Sequence, residues 1–129
     1  MRPKPDVFNV ACPSRALLHR VANKWTMLVI DTLGKKRLRN AELMRRIQGI
    51  SQKMLTQTLR ELEDMKLVDR FDMQTIPPHV EYSLSPRGRS LQKEVCGLNR
   101  WIEDNMYEIT STPDAIPIPQ KTDTDLRRL

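Results

Sequence analysis

The sequence predicts a mainly α chain with a small β-hairpin, an α+β fold. Apolar residues recur at three- and four-residue spacing through most of residues 13–109, the period of helices with one buried stripe. Two short segments, 67–71 and 80–84, break that period and are rich in β-formers. Helix-start and helix-stop residues fall where the periods change.

Residues 1–11 hold two prolines and no period, and are expected to form an N-terminal arm. Pro13 suits the first turn of a helix, with Cys12 at the capping position. Leu17, Leu18 and Val21 follow at helical spacing. A second helix carries Trp25, Leu28, Val29 and Leu33 on one face, and Gly34 stops it. Residues 35–39 are a short basic stretch with edge-strand character. Asn40 is expected to cap a third helix over 41–47 that turns Leu43, Met44 and Ile47 inward, and Gly49 supplies the next turn. Ser51 caps a fourth helix that runs to about residue 65 with Leu55, Leu59 and Leu62 on one stripe. The two strands follow, joined by a tip over 72–79 that contains Pro77-Pro78. Ser85-Pro86 starts a last helix that reaches about residue 109. After it come three prolines without a period, so 111–129 is expected to be a flexible tail and 12–110 the domain.

The bulk numbers exclude several classes. The chain has 129 residues, 39% hydrophobic and 29% charged, which fits one solvated domain. No run of 18 apolar residues exists, and the N-terminus lacks the apolar core of a signal peptide. Two cysteines, Cys12 and Cys96, make neither a disulfide framework nor a zinc site. A cytoplasmic protein with reduced thiols and no metal or cofactor is the expectation. No nucleophile–base–acid pattern or glycine-rich phosphate loop is present, so an enzyme is not expected.

The charge is unevenly placed. The whole chain carries +6, yet from Lys35 to Arg60 eight basic residues stand against the single acid Glu42. On the fourth helix Lys53, Thr56, Gln57 and Arg60 lie opposite the apolar stripe. Its acids, Glu61, Glu63 and Asp64, come late and would repel phosphate, so the N-terminal half is the half that can approach a polyanion. Two helices about a glycine turn, followed by a hairpin, are the order of a winged helix-turn-helix. Such a helix fits the major groove, and such a hairpin reaches the flanking backbone or minor groove. Double-stranded DNA is therefore the expected partner. Ser51, Gln52, Lys53, Thr56, Gln57 and Arg60 are the recognition-helix candidates, with Arg37, Arg39, Arg70 and His79 on the wing and its flanks.

The last helix carries one long seam, Leu91, Val95, Leu98, Ile102, Met106 and Ile109. One small domain cannot cover it, so a twofold homodimer through the first and last helices is expected. Leu91, Val95, Leu98, Trp101, Ile102 and Met106 are its interface candidates. Cys96 is expected to pack rather than react. Cys12, at a helix start beside Arg15, sits where a thiolate is stabilised.

With Cys12-Pro13, Lys24-Trp25, Ile50-Ser51, Lys53, Leu55-Thr56, Leu59-Arg60, Leu62-Glu63, Leu67-Val68, Arg70, Pro77-Pro78, Val80-Glu81-Tyr82, Leu84 and Gly88 in order, the chain resembles the HxlR-type family of winged-helix regulators. The resemblance spans about residues 11–108. It implies a dimeric DNA-binding transcription regulator, and several such regulators sense oxidants or electrophiles through an N-terminal cysteine, here Cys12. The expectation is a repressor that binds an inverted repeat. Two other readings stay open: a regulator answering a non-covalent small-molecule effector, and a winged-helix protein-interaction module. The sequence departs from the family at three places. Ala22-Asn23 stands for Gly-Gly, and His79 stands for the arginine after Pro-Pro, which should weaken the wing's hold. Lys66 stands for a glycine, and because a left-handed lysine is costly a different turn is expected there.

Overall fold

Capping explains most of the element boundaries in the computed structural model, which describes residues 2–110. Helix α1 (Pro13–Val21) starts at Cys12 with proline in its first turn. Helix α2 (Lys24–Leu33) is capped by Asn23, whose Oδ1 accepts the N–H groups of Trp25 (2.9 Å) and Thr26 (3.3 Å). The family's Gly-Gly is thus replaced by a capping side chain. Gly34 ends α2 at φ 48°. Strand β1 (Leu38–Arg39) and helix α3 (Asn40–Arg46) follow without a gap. The expected cap at Asn40 is corrected: Asn40 is already helical, Arg39 is the cap residue, and the Glu42 carboxylate reaches back to the Arg39 N–H at 3.2 Å. Helix α4 (Gln52–Asp64) is capped by Ser51, whose Oγ accepts the Met54 N–H at 3.0 Å. Strands β2 (Val68–Asp72) and β3 (Val80–Leu84) and the long helix α5 (Pro86–Thr110) complete the order.

The turn after α4 also differs from expectation. Lys66 takes the left-handed conformation, φ 59°, and the turn is kept. The Leu67 N–H bonds the Leu62 carbonyl at 2.9 Å and the Lys66 N–H bonds that of Glu63 at 2.9 Å, a paired C-terminal closure of the helix. Tertiary bonds hold it. Ser85 Oγ donates to the Lys66 carbonyl at 2.8 Å and accepts the Gly88 N–H at 3.1 Å, so one buried hydroxyl joins the end of α4 to the start of α5. Gly88 must be glycine, because a Cβ there would stand 2.0 Å from the Leu67 carbonyl oxygen.

The sheet is antiparallel in the order β1-β3-β2, so the predicted hairpin gains β1 as a third strand. Leu38 pairs Tyr82, Arg39 pairs Glu81, and Phe71 faces Glu81 from the other side. The alternation sends Leu38, Val68 and Leu84 into the core, and leaves Arg39, Glu81 and Phe71 as one row on the outer face. The core gathers Val29, Ile30 and Leu33 of α2, Leu43 of α3, and Leu55, Leu59 and Leu62 of α4, with Ile50 from the turn between α3 and α4.

Helix α5 lies along α2 in its first half. The Asp31 carboxylate of α2 accepts the side-chain amides of Gln92 (3.2 Å) and Asn99 (2.8 Å), one from each end of that contact. Val95, between them, is only 4% exposed and belongs to the chain's own core, and Leu91 packs against that core. Of the expected interface residues Val95 is thus spent on the chain's own core, and Leu91 is half-buried. The N-terminal arm is more organised than a periodless segment suggests. Turns closed by the Asn9 N–H on the Asp6 carbonyl (3.2 Å) and the Cys12 N–H on the Asn9 carbonyl (3.0 Å) lead it into α1. The tail expected over 111–129 lies outside the described residues.

Candidate nucleic-acid interface

Helix α4 buries Leu55, Thr58, Leu59 and Leu62, which fixes what its opposite face presents. Gln52, Lys53, Gln57 and Arg60 are exposed, with Thr56 half-buried beside them. Ser51 is spent on the cap. The Gln52 amide donates to Thr56 Oγ1 at 3.1 Å and the Gln57 amide to Glu61 Oε1 at 3.4 Å, so two of the polar side chains are braced along the helix. Among the described residues, Lys53 and Arg60 enter no ion pair and are open to an external anion. The helix thus carries free cations, amides able to read base edges, and a capped positive N-terminus on one open face.

The wing candidates divide. Arg39 is exposed on β1. Arg70 lies 3.8 Å from Asp72, and the Tyr82 side chain across the strand raises its already high pKa, so it stays a cation. Arg37 and His79 are engaged inside the protein. Arg37 Nε stands 2.6 Å from Glu81 Oε1, and its guanidinium lies 3.7 Å above the Phe71 ring. His79 Nε2 is 2.6 Å from the other Glu81 oxygen. The His79 hydrogen bond, and after it Arg37, hold the Glu81 carboxyl below its usual range. Glu81 organises this face, and nothing in its local pattern singled it out. Only the register, which sets it between Arg39 and Phe71, reveals the role.

At the opposite end Cys12 is half-buried and free. Its sulfur accepts the Asp6 N–H at 3.4 Å and the Ser14 hydroxyl at 3.1 Å. These bonds, led by that from Asp6 and joined by the Ser14 N–H, lower the thiol's pKa. Arg15, expected beside the sulfur, instead donates to the Phe8 carbonyl at 3.3 Å. The thiolate is favoured by local hydrogen bonds rather than by a neighbouring cation. Cys96 is also free and half-buried.

Besides Phe8 and Val10 of the arm and Ile76 of the wing tip, bare apolar residues cluster on the second half of α5 and on α1. Leu98, Trp101, Ile102 and Met106 are all more than 40% exposed, with Trp101 at 56%, and Leu17 and Leu18 of α1 are similarly bare. Helix α1 buries none of its residues.

Comparison with known proteins agrees with this architecture. The HxlR-like helix-turn-helix family matches residues 20–110. The HTH-type transcriptional regulator YtfH of Escherichia coli is 38% identical over 109 residues, 84% of this chain and 86% of that protein. The structure of a YtfH regulator from Salmonella typhimurium superposes with a TM-score of 0.79 at 36% identity, covering 84% of this chain and 96% of that one. The reduced form of the redox regulator HypR superposes with a TM-score of 0.70 at 34% identity, covering 78% of this chain and 99% of that one. Among the described residues no helix is long and apolar enough to cross a membrane. A matched family over most of the chain, five helices with a three-stranded winged sheet, and a cationic open face on α4 lead to one conclusion: the chain belongs to the HxlR-like helix-turn-helix family of transcription regulators, which bind DNA.

Proposed function

We propose that the chain is a homodimeric repressor that reads an inverted-repeat operator with the N-terminal half of α4 and answers thiol-reactive signals through Cys12. The observation that carries the reading is the open face of Lys53, Gln57 and Arg60, free of ion pairs among the described residues and beside a capped helix N-terminus. Dimerisation is supported by the bare stripe Leu98, Trp101, Ile102 and Met106 beside α1, a surface that one chain leaves in water. A twofold dimer sets two α4 helices about one duplex turn, roughly 34–36 Å, apart and so selects an inverted repeat. A dimer seated across a promoter excludes other proteins from it, which supports repression.

The thiol arm rests on Cys12, whose sulfur accepts hydrogen bonds from Asp6 and Ser14 that favour the thiolate. The similar protein HypR is described as a redox regulator. A modified sulfur at the start of α1 would tilt that helix at the dimer interface and change the spacing that DNA reads.

Fluorescence anisotropy on a selected operator, with a salt titration, tests the DNA reading. Lys53→Ala and Arg60→Ala should each weaken binding, and a lost phosphate contact flattens the salt slope by about one unit. A double variant that binds as tightly as the parent at matched salt excludes α4 as the reading element. Sedimentation should give a dimer that Ile102→Glu splits. Diamide should release DNA from the parent and not from Cys12→Ser; equal release from both removes Cys12 as the sensor.

A further inference from the structure

Behind the wing, two adjoining clefts of about 240 and 420 Å³ share Gly34, Lys35 and Arg89. They lie between the α2–β1 turn, the base of β3 and the start of α5. Lys36, Arg37 and Ser83 line the smaller, Lys93 and Gln92 the larger. Among the described residues five cationic ones thus line one concavity, and no carboxylate lines it.

Two acids of the neighbouring elements are already committed. Asp31 accepts the amides of Gln92 and Asn99, and Glu81 is held by Arg37 and His79. Among the described residues Lys35, Lys36, Arg89 and Lys93 form no ion pair. Two of the cations are fixed in place. Arg89 donates to the Leu84 carbonyl at 3.1 Å, and Arg37 is pinned between Glu81 and the Phe71 ring. The helix end adds no backbone donor to hold a ligand at its first and third positions, since Pro86 lacks an N–H and that of Gly88 is taken by Ser85. Side chains must do the binding.

Like charges crowded into a concavity repel one another and attract a compact polyanion that bridges them. We propose that this cleft is a binding site for a small polyanion, a molecule with two or more phosphate or carboxylate groups, distinct from the DNA-reading face of α4. Its position separates it from the wing's far end: Ser83 lies three residues along β3 from Val80, roughly 10 Å at about 3.3 Å per residue. The clefts, about 240 and 420 Å³, are of the size that takes a small metabolite. A ligand here ties the α2–β1 turn, which leads directly into the helix-turn-helix, to α5.

The test uses the full chain and two probes, pyrophosphate and citrate, titrated by calorimetry at constant ionic strength set with sodium chloride. The parent should bind one probe molecule per chain saturably. Lys35→Gln with Lys93→Gln should weaken this at least tenfold, and circular dichroism should show an unchanged fold because both side chains are exposed. Lys53→Gln, on α4, should leave probe binding unchanged. Three results overturn the proposal: no saturable binding of either probe, equal weakening by Lys53→Gln, or unchanged binding in the cleft double variant. Loss of operator affinity in the cleft variant without any probe binding would instead make the cleft a backbone contact for DNA, and also overturns it.

Discussion

Replacing Lys66 with glycine should stabilise the protein. Lys66 holds a positive φ of 59° between α4 and β2, and its visible structural bonds are backbone bonds: its N–H to Glu63 and its carbonyl to the Ser85 hydroxyl. The left-handed region costs an L-residue about 1–2 kcal/mol through the clash of Cβ with the carbonyl oxygen. Glycine removes that clash but has more conformational freedom to lose on folding, which offsets about 0.5–1 kcal/mol. The net gain is about 0.5–1 kcal/mol, or roughly 2–5 °C in melting temperature for a chain of this size. Thermal unfolding at one fixed chain concentration measures it, since an oligomer's midpoint depends on concentration. Lys66→Ala is the control, because it removes the lysine charge and keeps Cβ. Glycine should raise the midpoint and alanine should not. Equal midpoints for the two variants, or a lower midpoint for glycine, would refute the argument from backbone strain.

At Gly88 the same substitution logic reverses: Gly88→Ala drives a methyl to 2.0 Å from the Leu67 carbonyl, and urea unfolding should show a loss of about 1–3 kcal/mol or more. Glu81 gives the wing a pH dependence. Its folded pKa is depressed by His79 and Arg37, so its stabilising contribution is full above the unfolded carboxylate pKa and is lost as pH falls through the lower folded value. Hydrogen exchange of the β2–β3 amides, corrected for intrinsic rates, should accelerate across that acidic window in the parent, and Glu81→Gln should lack the transition. Alkylation of Cys12 by iodoacetamide, followed against pH in a Cys96→Ser background, should show a midpoint below that of a free thiol. Ser14→Ala should move that midpoint up, because a hydrogen bond that favours the thiolate is gone.

What the sequence determined by itself was local. The caps at Cys12, Ser51 and Ser85, the stop at Gly34 and the stripe of Leu55, Leu59 and Leu62 all follow from short-range periodicity and chain-end chemistry, which act within a few residues. The helix order, the hairpin and the exposed cations of α4 followed from them. Tertiary structure decided what depends on pairing distant segments. Position along α5 made Val95 core and left Trp101 bare, because α2 covers only the first half of that helix. Strand register made Glu81 the hub of Arg37 and His79, giving two of the expected wing residues a shared carboxylate partner. The bond from the buried Ser85 hydroxyl to its carbonyl helps hold Lys66 in a conformation its own propensity opposes. Periodicity along the chain records which face of an element is apolar, but not which neighbour covers it or for how many turns; contacts between residues tens of positions apart settle that.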